Sequence, residues 1–208
     1  MSALDIRAAR SGVRIEIISV VWMVVEGAVA IGAGIAAGSL LLTAFGIDSV
    51  IELVSGAVLL WRLAVEVRGG AHARVERAEH RAVRVVAVCL ALLCVYVLVS
   101  ALYGLVTQSR PDASVPGIAI AALAVAIMPW LAVSKRRIAA RMDSASLRGD
   151  AASSITCAYM AATVLGGLLL NALFHWWWAE NVAAFLFLFW LARETWEAVE
   201  EARSETED

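Results

Sequence analysis

The chain has 208 residues, 62% of them hydrophobic and 17% charged, with a mean hydropathy of +0.80 and a formal net charge of −2. A soluble domain of this length has no interior large enough to hide that much apolar surface, so the composition excludes one and predicts an all-α integral membrane protein. The basic clusters lack the aromatic interleaving of a nucleic-acid surface, so no nucleic-acid partner is expected.

Spanning the hydrocarbon core of a bilayer takes about 20 predominantly apolar residues. In chain order, runs at about 17–37, 41–63, 83–106, 115–133, 151–173 and 182–198 qualify, which predicts a six-helix transmembrane bundle. The first run is too long for the apolar part of a signal peptide, contains Glu26 and leads almost directly into the second, so it reads as a span. Arg7, Arg10 and Arg14 precede it, Arg62, Arg68, Arg74, Arg77, Arg81 and Arg84 flank the second connection, and Lys135, Arg136, Arg137, Arg141 and Arg148 fill the fourth. Arg193, near the inner end of the last span, is placed to snorkel. Of the 17 basic residues only Arg110 falls on the opposite side, and the positive-inside rule puts both termini in the cytoplasm. The expected organisation is a cytoplasmic N-terminus over 1–14, a six-span domain over 15–200 and an acidic cytoplasmic tail over 201–208. Trp176, Trp177 and Trp178 end the fifth span as an interfacial aromatic belt. Gly69, Gly70 and the segment 142–150 read as flexible joints, and Gly34-x-x-x-Gly38 reads as a close helix approach.

Two acids interrupt the second span. Asp48 and Glu52 lie about 10 Å and about 16 Å from its outer end, at roughly 1.5 Å per residue. Residues at i and i+4 share a helix face, so both carboxylates point the same way, and Ser55 joins that face. Glu26 lies mid-depth in the first span. A central carboxylate costs roughly 2.5–3.5 kcal/mol on insertion scales, so three cost on the order of 8–10 kcal/mol. No Arg, Lys or His falls at mid-depth in any predicted span, which makes an external cation the expected partner. The fifth span opens LRGDAASSITCAYM and puts Asp150, Ser153, Ser154 and Cys157 within about 100° of one face, at roughly 100° per residue. A carboxylate, two hydroxyls and a thiol on one face suit a divalent cation, zinc among them.

Each of these groups also has a plainer reading. Asp48 and Glu52 fit a packing seam as protonated, hydrogen-bonded acids, and Asp150 fits an N-terminal acid favoured by the helix dipole. Ser153 and Ser154 fit small packing residues. Cys157, like Cys89 and Cys94, fits a small buried thiol. Glu26 reads either as a proton-carrying or gating group or as a partner in helix packing. No zinc-finger spacing, Walker loop, nucleophile elbow or dinucleotide fingerprint is present, and no mid-depth histidine stands ready to activate Cys157, so an enzyme is not expected.

GSLLLTAFGIDSVIELVSGAVLLWR resembles the second transmembrane helix of the cation diffusion facilitator, or cation efflux, family. LRGDAASSITCAYMAATVLGGLLL and the later WWWAENVAAFLF resemble that family's fifth and sixth helices. The resemblance implies export of a divalent cation, often zinc, usually against protons. It also implies a site with two ligands from the second helix and two from the fifth, each pair four residues apart. Those positions are Asp48 with Glu52 and Ser153 with Cys157, where the fifth-helix pair is usually His or Asp followed by Asp. Asp150 matches a common acid just upstream, and Glu180 matches a frequent Asp before the sixth helix. A thiolate ligand at Cys157 would favour zinc, cadmium or another softer cation. The family's usual cytoplasmic domain has no counterpart after the sixth span, so metal sensing or dimerisation through it is not expected.

The function expected from these readings is a secondary transporter for a divalent cation such as Zn2+, working by proton-coupled antiport. The expected metal residues are Asp48, Glu52, Cys157, Ser153 and Asp150, with Glu26 as a proton or gating group. The expected partners are the cation, protons, the lipid of a plasma (inner) membrane and a second copy of the chain in a dimer. No prosthetic group is expected. The alternative is a non-transporting scaffold or partner subunit that keeps the fold.

Overall fold

The fold is that of a computed structural model, which describes residues 3–67, 72–108, 111–142 and 145–204. Its helices are α1 (Ala3–Ala37), α2 (Leu40–Val67), α3 (His72–Val106), α4 (Val115–Met142), α5 (Ala145–Phe174) and α6 (Ala179–Ser204), with no strand among the described residues. α1 packs on α2, α2 on α3, α4 on α5 and α5 on α6, while α3 packs against α6 and α1 against α4. Among the described residues, five helices are long and apolar enough to cross a membrane. The sixth is α6, which contains the expected run 182–198; Glu180, Arg193, Glu194 and Glu197 lower its apolar content, and it packs against α3 and α5.

The helices outrun the expected spans. α4 continues to Met142 instead of ending at 133, and α5 starts at Ala145, so the joint expected over 142–150 is largely helical. Gly69, Gly70, Arg110 and the last four residues of the expected tail lie outside the described residues.

The α1–α2 hairpin sets the register of the acids. Gly38 adopts a left-handed φ of 65°, which a residue without a Cβ reaches most readily. The Ser39 amide then donates to the Gly34 carbonyl at 2.9 Å and the Gly38 amide to the Ile35 carbonyl at 3.3 Å, the two bonds of a Schellman stop. Ser39 immediately caps α2, its Oγ accepting from the Leu42 amide at 3.2 Å. The two glycines expected to act together therefore divide the work. Gly34 gives the close approach, since a Cβ there would stand 2.5 Å from Thr43 Oγ1, whereas Gly38 faces open space and makes the turn. Gly46 continues the contact from α2, with a Cβ there only 2.7 Å from Ile31. Along α2 the buried stripe runs Leu41, Phe45, Asp48, Glu52, Gly56 and Leu59. The stripe steps to Gly56, so Ser55 is exposed and does not share the face of the two acids as expected.

Candidate metal site

Asp48 is wholly buried and Glu52 is 6% exposed, so the paired carboxylates of α2 do point into the bundle. A third carboxylate meets them from α6. On that helix Ala184, Phe187, Leu191 and Glu194 follow one another at steps of three and four, and the first three are buried. Glu194 thus continues the inward stripe. One ligand oxygen from each of Asp48, Glu52 and Glu194 lies within 4.8 Å of the other two. Sequence reasoning missed Glu194 because it sits near the inner end of the expected last span, in the charged run RETWEAVEE. Its place in step with Phe187 and Leu191 was the available signal.

Ser153 of α5 ties the group together. Its Oγ is 2.9 Å from Glu52 Oε1 and 2.7 Å from Glu194 Oε1. A hydroxyl has one proton to donate, so both contacts are satisfied together only if one carboxyl also carries a proton. Both Asp48 oxygens, Glu52 Oε2 and Glu194 Oε2 are buried without a hydrogen-bond partner. Groups of that kind call for a cation or a proton.

Cys157 is fully buried and adjoins Glu52. It is not in the three-residue set whose ligand atoms converge within 4.8 Å. Cys94 of α3 has its Sγ 3.3 Å from Oγ1 of Thr195, the residue after Glu194. Glu26 is wholly buried in α1, and neither of its carboxyl oxygens has a hydrogen-bond partner.

Asp150 is not brought to this cluster. Its carboxylate contacts the ammonium of Lys135, which also lies 3.5 Å from Glu16 Oε2. The bundle thus buries a protein cation, past the inner end of the expected fourth span and away from the mid-depth acids. Lys135 was assigned to the basic connection, but α4 extends past it. It follows Met128 and Leu131 and precedes Ala139 on a fully buried stripe, while Arg136 and Arg137 face outwards. At the opposite end of the bundle, Glu180 accepts from Ser39 Oγ at 2.5 Å and from Asn171 Nδ2 at 2.9 Å, which makes it a link between α2, α5 and α6.

A multi-helix membrane bundle that encloses a converging set of acids is built like an ion-handling membrane protein. The residues 17–205 match the model of the cation efflux transmembrane domain, and the chain belongs to that family. Members of the family are metal cation transporters, and this chain is accordingly an integral, multi-pass membrane protein with a metal cation as its substrate. No curated protein matches it.

Proposed function

We propose that the chain is a secondary transporter exchanging a divalent, zinc-like cation for protons through Asp48, Glu52, Glu194 and Ser153. The observation that carries this reading is the convergence of three carboxylates from α2 and α6 within 4.8 Å. Oxygens about 2.0–2.2 Å from a tetrahedral zinc stand about 3.4 Å apart, so side-chain shifts of about an ångström would close the set. Ser153 or water supplies the fourth ligand, and the Cys157 thiol beside Glu52 offers a softer alternative.

Proton coupling follows from the same groups. Three ionised carboxylates exceed the charge of one divalent cation, and in its absence Ser153 needs a proton on one of them. Cation entry therefore expels protons, and protons arriving from the other side release the cation. Glu26 and Cys157 border the site and make the electrostatic cost of an unneutralised state larger. Alternating exposure of the site completes the cycle.

Zinc uptake into proteoliposomes, read by an enclosed zinc-sensitive dye with pH recorded in parallel, tests the reading. Asp48→Ala combined with Glu52→Ala is expected to abolish uptake and the accompanying proton movement. Unchanged uptake would sink the proposal. Failure of the folded parent protein to bind any divalent cation would favour the scaffold reading.

A further inference from the structure

One helical turn from the carboxylate cluster, towards the chain termini, lies a second buried charged layer. It comprises Glu16 of α1, Lys135 of α4 and Asp150 of α5, with Glu16 and Lys135 both at 0% exposure. The Lys135 ammonium touches both acids and donates to Ser154 Oγ at 3.4 Å. Ser154 neighbours Ser153, so the two layers are consecutive on α5. They are also consecutive on α2. A Cβ on Gly56, one turn past Glu52, would stand 3.1 Å from Glu16 Oε1.

The next turn towards the termini is apolar. Leu59, Ala139 and Leu147 are buried together, with Val13 and Ile138 packed on them. Each belongs to a helix of the charged layer or to α2, three or four residues further on. A cation moving between the carboxylate cluster and the terminal end along these four helices meets the ionic layer and then the apolar one.

We propose that Lys135 is a built-in cation that latches this end of the path. By pairing Glu16 and Asp150 it ties α1, α4 and α5 together below the metal site. The path opens on that side when the ammonium leaves them. That the path carries a cation rests on the transport reading, whereas the latch itself does not.

The test is the rate at which a charged methanethiosulfonate reagent, added without metal, labels Ala139→Cys in proteoliposomes. The parent carries serine in place of Cys89, Cys94 and Cys157. Asp150→Asn leaves a neutral Lys135–Glu16 pair and is expected to label at least about tenfold faster than the parent. Asp150→Glu keeps the charge and is expected to stay within about twofold of it. If Asp150→Asn does not fold, Glu16→Gln leaves the neutral Lys135–Asp150 pair and gives the same readout. Equal labelling in parent and neutralised variant overturns the latch, as does fast labelling in Asp150→Glu. Absence of zinc flux in the chain with its native cysteines and latch residues, with this labelling pattern intact, would overturn the transport reading alone.

Discussion

Replacing Glu194 with glutamine is expected to raise the zinc concentration that half-saturates transport at least about 100-fold, more than loss of an outer-shell partner costs. The amide keeps the volume of the side chain and a hydrogen bond to Ser153, whose Oγ lies 2.7 Å from Glu194 Oε1. It removes one of the three proposed anionic ligands. Glu197 supplies the control on the same helix. That residue is exposed and pairs with Arg193 at 3.0 Å, a surface contact of little energetic weight. Glu197→Gln is expected to leave half-saturation within about twofold of the parent. If Glu194→Gln behaves like Glu197→Gln, α6 contributes no ligand.

The second large effect is on stability. Lys135→Met removes the one buried positive charge among the described residues from a layer that holds Glu16 and Asp150. Breaking a buried ion pair by deleting one partner destabilises by about 3–5 kcal/mol, because the remaining charge stays in low dielectric. Here two carboxylates are left. Adding Asp150→Asn to Lys135→Met is expected to recover part of the loss, which a double-mutant comparison of unfolding in detergent measures. Arg136 is the neighbouring exposed cation, and Arg136→Met is expected to change stability by no more than about 0.5 kcal/mol. Equal unfolding of the Lys135 and Arg136 variants would contradict the ionic layer.

Much of this architecture was legible from elementary patterns. Long apolar runs predict helices because only a helix satisfies its own backbone in lipid. The i, i+4 spacing of Asp48 and Glu52 put both carboxylates on one face, and both are buried. The misses share a physical origin. Lys135 and Glu194 sit in charged stretches near the inner ends of the expected spans, where composition reads as solvated surface. Each belongs to a helix that continues beyond the membrane-length run, and each falls in register with buried apolar neighbours. Periodicity carried the signal that composition masked. Asp150 was grouped with Ser153 and Cys157 by helical angle alone, but the angle does not say which neighbouring helix a group meets. Depth along α5 takes it to Lys135 instead. The exposure of Ser55 makes the same point for α2, whose contact stripe steps by three and four to Gly56.

The most direct test of a shared cation site is calorimetric titration of the purified, folded chain with zinc, in two buffers of different ionisation enthalpy. One ion per chain is the expected stoichiometry, with net proton release on binding and loss of the heat signal in Asp48→Ala combined with Glu52→Ala. Saturable binding that survives that double substitution, or a folded chain that takes up no divalent cation, would contradict the site.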